Sequence, residues 1–92
     1  MIKRIRHKGL QRFHESGNTA GINVAQARRI AMILGLLEAA SEPSQLDLQG
    51  LHLHLLKGER SDVWSLRVNK YWRVTFKFDG DDVTDVNYED YH

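Results

Sequence analysis

The sequence predicts an α+β fold in which two helices near the N-terminus pack on one face of an antiparallel sheet. Apolar residues recur at helical spacing in the first 40 residues, and they alternate at every second position after Gly50. Consecutive strands joined by short turns pair in antiparallel order. We therefore expect about four to five strands, a short N-terminal strand among them, in a single domain spanning residues 1–92.

The N-terminal part predicts a short strand followed by a short helix. Ile2 and Ile5 are apolar and flanked by charge, which is typical of a brief strand. Residues 8–15 then place Leu10 and Phe13 on one side of a helix. The next glycine, at position 17, lies where a glycine commonly ends a helix.

A second helix is predicted between Asn23 and Pro43. Asn23 has a side chain suited to N-capping, and Gln26 follows three residues later as in a capping box. Proline cannot continue a helix, so Pro43 marks the end. Residues three or four positions apart form the predicted buried face: Ala27, Ile30, Ala31, Leu34 and Leu37.

Alternating apolar residues predict strands over residues 51–56, 64–68, 72–78 and 83–88. Side chains two residues apart share a face of a strand, so one set points toward the helices. This set consists of Trp64, Leu66, Val68, Trp72, Val74 and Phe76. The two tryptophans are therefore expected in the core rather than as platforms for base stacking.

The opposite phase of the same strands predicts an exposed, polar face. Its members are Ser65, Arg67, Arg73, Thr75 and Lys77, with His52, His54 and Lys57 from the preceding segment. The histidines are placed there because the leucines that alternate with them need the core. Such a cation-lined surface fits a polyanion. A solvated sheet face with scattered charge is the alternative.

Charge is distributed unevenly, although the net charge is only +1. Residues 1–29 contain seven Lys and Arg residues against one Glu, and residues 57–77 contain six against two acidic residues. The last fifteen residues contain six acidic residues and neither Lys nor Arg. This distribution permits a local basic patch that attracts phosphates, and an ordinary mixed-charge surface is the alternative.

Composition excludes several classes of protein. The chain has no cysteine, which excludes disulfides, thiolate catalysis and cysteine-based zinc sites. No apolar run approaches the ~20 residues of a membrane span, and no apolar stretch of a secretory signal follows the basic N-terminus. We therefore expect a cytoplasmic protein with no membrane partner.

The last residues of the chain place titratable groups directly after the final predicted strand. Asp90, Tyr91 and His92 are expected to pack beside the sheet face that carries His54, and a frayed terminus is the alternative. Histidine titrates near pH 6.5, so it accepts or donates protons at neutral pH. The carboxylate of the terminal residue favours the protonated form of the His92 ring. These groups form a candidate acid–base set.

A metal site has less support in the sequence. His52 and His54 are two residues apart on one predicted strand face, and a carboxylate would complete a zinc site with them. No second histidine pair has ligand spacing, and structural zinc usually requires cysteine. We therefore expect no metal and no other cofactor.

Six short segments, taken in order, carry a resemblance to a known family. They are residues 1–3, 7–10, 54–60, 64–69, 72–76 and 90–92. Together they resemble the HigB toxins, which belong to the RelE/ParE-like toxin superfamily of bacterial toxin–antitoxin systems. The resemblance covers the whole chain and is strongest over residues 51–92.

The resemblance implies an activity, partners and site residues. The activity is ribosome-dependent cleavage of mRNA in the decoding site. The partner is a HigA-type antitoxin with a helix-turn-helix fold, and operator DNA is bound only through the complex with that antitoxin. The implied catalytic residues are His54, Asp90, Tyr91 and His92. The implied contacts to phosphate and RNA backbone are Lys57, Arg67 and Arg73.

Two other functions remain open at the level of sequence. A ParE-like toxin would have the same fold but would block DNA gyrase without cleaving RNA, and it would need no acid–base set. A nucleic-acid-binding module would use the basic face alone. The histidines and the Asp90-Tyr91-His92 end favour the nuclease.

Overall fold

The computed structural model describes residues 1–90 and contains two α-helices followed by a four-stranded sheet. The helices are α1, Lys8–Ser16, and α2, Ala27–Ala39. The strands are β1, His54–Leu55; β2, Trp64–Arg67; β3, Trp72–Asp79; and β4, Asp82–Asp90. The sheet order is β1-β2-β3-β4 and each pair is antiparallel. This confirms the predicted α+β fold.

The predicted N-terminal strand takes the form of two isolated bridges at the β4 edge. Ile2 pairs with Val83 and Ile5 with Val86, both in parallel orientation. Four backbone hydrogen bonds of 2.7–3.1 Å support these bridges. The segment therefore covers the edge of β4, although it forms no continuous ladder with it.

Local sequence signals define the first helix. The Nδ1 atom of His7 accepts a hydrogen bond from the backbone N–H of Leu10 at 3.0 Å and caps the start. Gly17 adopts a φ of +77° and its N–H bonds to the carbonyl of Phe13, which confirms it as the end. Gly9 packs directly on the backbone of Gly21, where a β-carbon would lie 2.3 Å from a carbonyl oxygen.

The second helix differs from the prediction in two details. Asn23 caps a single 3-10 turn, Val24–Gln26, that leads into α2. Gln26 is not part of a capping box there; it is buried, and its Oε1 accepts a hydrogen bond from the Tyr88 hydroxyl. Ala31, predicted on the buried face, is exposed. The helix ends at Ala39, ahead of Pro43 as predicted.

The core lies between the helices and one face of the sheet. Leu66, Val74 and Phe76 have no exposed surface and meet the α2 residues that share the core cluster: Ile30, Ile33, Leu34 and Leu37. Trp64 and Trp72 pack against this core on the side that the alternation predicts, but they are half-buried at its margin rather than inside it. No helix within residues 1–90 is long and apolar enough to cross a membrane.

The first predicted strand is shorter than expected. The alternation of residues 51–56 predicts a strand from Leu51, but β1 begins only at His54. The backbone of His52 has a φ of +49°, in the left-handed region, so the chain turns there and is not extended. As a consequence Leu55 is 44% exposed rather than buried, and His52 is not on the strand with His54.

Candidate functional site

The sheet face that points away from the helices, called the outer face below, carries the predicted site residues of β1 to β3. Strand register arranges this face in rows. One row consists of His54, Ser65, Thr75 and Asn87. The next consists of Arg67, Arg73 and Glu89. Rows two residues apart along a strand are about 7 Å apart, so one imidazole and two guanidinium groups share a small area.

The His54 ring lies on the short edge strand and is exposed. Its Nδ1 atom is 3.1 Å from the carbonyl oxygen of His52. A carbonyl oxygen only accepts, so Nδ1 donates and Nε2 is the basic nitrogen of the neutral ring. The contact with the His52 carbonyl therefore favours Nε2 of His54 as the nitrogen available for proton transfer.

Two of the three predicted phosphate contacts, Lys57 and Arg67, form no ion pair with another described residue. Lys57 is exposed, three residues beyond His54, where it precedes a 3-10 turn, Gly58–Arg60. Arg67 is half-buried and its Nε donates to the carbonyl of Asn69 at 3.2 Å. No ion pair within residues 1–90 involves either side chain.

Arg73, the third predicted contact, faces a carboxylate that the sequence analysis had not placed in the site. Its Nη2 atom lies 3.8 Å from Oε1 of Glu89, which is directly opposite in β4. Glu89 also binds Arg60 through two hydrogen bonds of 2.9 and 2.7 Å. The Thr75 hydroxyl donates to the same carboxylate. One acid thus connects two cations and a buried hydroxyl.

The outer face is more closed than predicted. Ser65 and Thr75 were expected on an open surface, yet each is only 1% exposed. Residues 60–62 are tied to this face by the Arg60–Glu89 pair and by a 3.4 Å pair between Lys77 and Asp62. Beside Thr75 they border a cavity of about 180 Å³ lined by charges of both signs.

The charge of Glu89 is stabilised by its surroundings. The hydrogen bonds from Arg60 lower the pKa of this carboxyl, burial opposes them, and Thr75 and Arg73 lower it further. The same contact raises the pKa of Arg60. At neutral pH both groups are therefore ionised, and the network is an ion pair rather than a neutral hydrogen bond.

The predicted C-terminal acid–base set is only partly within the described chain. Asp90 is the last residue of β4 and pairs with Trp72, whose row continues the helix-covered side. His54 belongs to the outer face, so the pleat assigns these two residues to opposite sides of the sheet. Tyr91 and His92 lie outside the described residues. The catalytic roles of these four residues remain predictions.

The acidic end of the chain pairs with some of the basic residues. Lys3 pairs with Asp79 at 2.8 Å and Arg4 with Asp85 at 2.9 Å, in addition to the pairs on the outer face. The expected basic patch is therefore compensated in part within the fold. Within residues 1–90, no three His, Asp or Glu side chains are grouped so that they could hold a metal ion.

Comparison with known proteins gives the family. A family model described as the RelE-like toxin HigB of type II toxin–antitoxin systems matches residues 3–92. The chain belongs to the HigB-like toxin family. It is also 42% identical to Endoribonuclease HigB from Proteus vulgaris over 92 residues, which cover all of both chains. The resemblance drawn from short segments is confirmed.

Membership of the HigB-like family implies that the chain has an antitoxin as its partner.

Sequence reasoning missed Arg60 and Glu89 on the outer face. The alternation of β4 contained a signal for Glu89, because an acid opposite Arg73 across two antiparallel strands forms a cross-strand pair. Arg60 comes from a turn, and periodicity carries no signal for it.

Proposed function

We propose that this chain is an endoribonuclease that cleaves mRNA in the decoding site of the ribosome, without a metal ion. The observation that carries the proposal is the 42% identity, over both full lengths, to Endoribonuclease HigB from Proteus vulgaris. The arrangement of His54, Arg67 and Arg73 on one sheet face supports it, because RNA cleavage needs proton transfer beside a phosphate.

The reaction uses the nucleophile that RNA supplies. The 2′-oxygen attacks the adjacent phosphorus in line with the 5′-oxygen of the next nucleotide. As the new bond forms, the P–O5′ bond breaks, leaving a 2′,3′-cyclic phosphate and a free 5′-hydroxyl. One proton leaves the 2′-oxygen and one arrives at the 5′-oxygen. The protein must therefore provide a base, an acid and cations near the phosphorane.

The proposed roles follow from the chemistry of each side chain. His54 and His92 share the two proton transfers, and Asp90 orients or assists one of them. Lys57 and Arg73 stabilise the charge on the phosphorane. Tyr91 positions the nucleotide or donates a hydrogen bond to it, and Arg67 contacts the RNA backbone. Well-placed acid–base groups of this kind contribute about 10²–10⁴-fold to the rate.

The ribosome supplies what this small face lacks. Cations on the outer face are partly compensated by Glu89, Asp62 and Asp85, so RNA binding by the chain alone is weak. Alignment of the mRNA by the decoding site would replace that missing affinity with orientation, which is a large effect. The working complex therefore includes ribosomal RNA in the cytoplasm. The antitoxin is of the HigA helix-turn-helix type, and operator DNA is bound only by the joint complex.

The proposal is tested by adding the protein to purified ribosomes programmed with a defined mRNA and mapping the new 5′ ends. We expect cuts at the decoding site that require the ribosome, with 2′,3′-cyclic phosphate and 5′-hydroxyl termini. Termini with a 3′-hydroxyl and a 5′-phosphate would contradict the metal-independent route. Intact mRNA at saturating protein would remove the nuclease assignment.

The substitution His92→Gln tests the acid–base set. We expect cleavage to be abolished while binding to ribosomes, measured by co-sedimentation, persists. His14→Gln is a matched control, because His14 lies on α1 and contacts Glu38 rather than the outer face. Full activity of His92→Gln would show that His92 takes no part in the reaction.

A further inference from the structure

The carboxylate of Glu89 is the centre of the strongest side-chain network on the outer face. Arg60 binds both of its oxygens, with Nη1 at 2.9 Å from Oε1 and Nη2 at 2.7 Å from Oε2. The Thr75 hydroxyl donates to Oε2, and Thr75 itself is 1% exposed. The third contact is the long one, 3.8 Å from Oε1 to Nη2 of Arg73.

We infer that Glu89 is a positioning residue for Arg73 in RNA cleavage, and that Arg60 limits how tightly Glu89 holds it. This inference rests on the proposed function, in which Arg73 contacts the scissile phosphate. Glu89 itself is 19% exposed and already surrounded by donors, so it does not act on the RNA directly.

The division of contacts around the carboxylate supports this role. A guanidinium that meets both carboxylate oxygens with short bonds is in the strongest geometry for such a pair, and Arg60 takes it. Glu89 therefore offers Arg73 only the electrostatic attraction at 3.8 Å. This attraction draws the guanidinium toward one place on the face, and a phosphate oxygen does not have to displace a short two-bond pair between Arg73 and Glu89.

Positioning of this kind reduces the ordering cost in the transition state. An arginine on an open surface loses rotamer freedom when it binds a phosphate. Arg73 is already restricted, with its side chain 18% exposed, and β3 and β4 pair directly at Arg73 and Glu89. The register thus sets the distance between this cation and the row that contains His54.

The first test is Glu89→Gln, which keeps the shape and an acceptor for Thr75 but removes the charge. On programmed ribosomes we expect kcat to fall about 10-fold with KM changed less than about 3-fold. In an Arg73→Ala background the same substitution should change kcat less than 2-fold, because Glu89 acts through Arg73. Equal losses in both backgrounds, or turnover above wild type, would overturn the inference.

The second test does not depend on the first variant folding or on residual activity without Arg73. Arg60→Met leaves Glu89 charged and lets Arg73 take the short bonds that Arg60 held. We expect KM for programmed ribosomes to rise about 5-fold at nearly unchanged kcat. Arg4→Met is the matched control, because Arg4 also pairs with one acid of β4, but that acid is Asp85 and not Glu89. An unchanged KM, in protein shown to be folded by its thermal transition, would contradict the role of Arg60.

These outcomes separate the two claims. A wild-type protein that leaves ribosome-bound mRNA intact removes the proposed function, and the positioning role with it. A wild-type protein that cleaves, together with Glu89→Gln at full turnover, removes only the positioning role.

Discussion

The two faces of the sheet are organised by different forces. The helix-covered face is built from apolar side chains such as Leu66, Val74 and Phe76, all without exposed surface. The outer face buries Ser65 and Thr75 almost as completely, and Thr75 lies beside the ion pair of Arg60 and Glu89, to which its hydroxyl donates. Burial on one face removes apolar area from water, whereas on the other it depends on charges that must remain paired.

The difference teaches where this protein has room for function. A close-packed apolar face tolerates little change, because every lost methylene leaves a cavity. An ion-paired face can accept a further anion beside a cation that its own carboxylate contacts only at long range, as Glu89 contacts Arg73 at 3.8 Å. The face held by charge is therefore the one on which we place RNA.

The largest expected effect is on the helix-covered face and sharpens the comparison. Phe76→Ala removes a fully buried ring, and we expect a loss of about 3–5 kcal/mol in the free energy of unfolding. Its neighbour Thr75 points to the outer face. Thr75→Val replaces the hydroxyl that donates to Glu89 with a methyl group and should cost about 1 kcal/mol. Urea denaturation measures both. Equal losses would mean that the two faces are held in the same way.

The next effect concerns activity rather than stability. His54→Asn should reduce ribosome-dependent mRNA cleavage about 10²-fold, because it removes an acid–base group, with the thermal midpoint unchanged for this exposed side chain. His52→Asn is the control two residues away, since asparagine tolerates the left-handed backbone at that position. If His52→Asn lost the activity and His54→Asn kept it, the assignment of the imidazole would be wrong.

The sequence predicted the apolar half of this structure better than the polar half. Periodicity identified the inward set around Leu66, Val74 and Phe76, because apolar burial requires only that residues share a face. It also placed Ser65 and Thr75 on the correct side, but it could not predict their burial. Thr75 lies beside a contact in which Arg60 reaches Glu89 from a turn 29 residues earlier in the chain, and alternation carries no information about such a contact.

The site was predicted only at the level of residue types and faces. Alternation and family resemblance together placed His54, Arg67 and Arg73 on one surface, as the strand register confirms. The charged partners were not predicted, because each ion pair joins two segments whose distance is set by the whole fold. The left-handed turn at His52 was missed because the alternation of leucines with histidines over residues 51–56 is typical of an extended strand.

A smaller effect is expected at the irregular part of β4. The ladder shifts between Thr75 and Lys77, and there Asp85 has a φ of +52° and pairs with Arg4 on the N-terminal segment. A β-branched residue is strained in this conformation, so Asp85→Val should destabilise the fold by about 1–3 kcal/mol. Asparagine also tolerates a positive φ, so Asp85→Asn should destabilise the fold by less than half as much, as measured by thermal unfolding. Equal costs would mean that the lost charge of Asp85, and not backbone strain, accounts for the whole destabilisation.

The smallest expected effect is on stability at acid pH, where a half-buried ion pair should behave differently from an exposed one. The folded-state pKa of Glu89 is lowered, chiefly by Arg60, so between the folded and unfolded values the unfolded chain binds more protons. The stability due to this carboxylate is therefore complete above the unfolded pKa near 4.5 and is lost as pH falls through the lower folded pKa. Compared with Glu89→Gln, wild type should lose this advantage below about pH 4.

The matched acid for that measurement is Asp79, whose pKa is lowered by Lys3 in a fully exposed pair. Exposed pairs are screened by salt, whereas half-buried ones are screened much less. At high salt the difference between wild type and Asp79→Asn should therefore vanish at every pH, while the acid-dependent difference between wild type and Glu89→Gln should remain. If salt abolished both, the outer face would be an ordinary solvated surface, and Glu89 would have no fixed place from which to position Arg73.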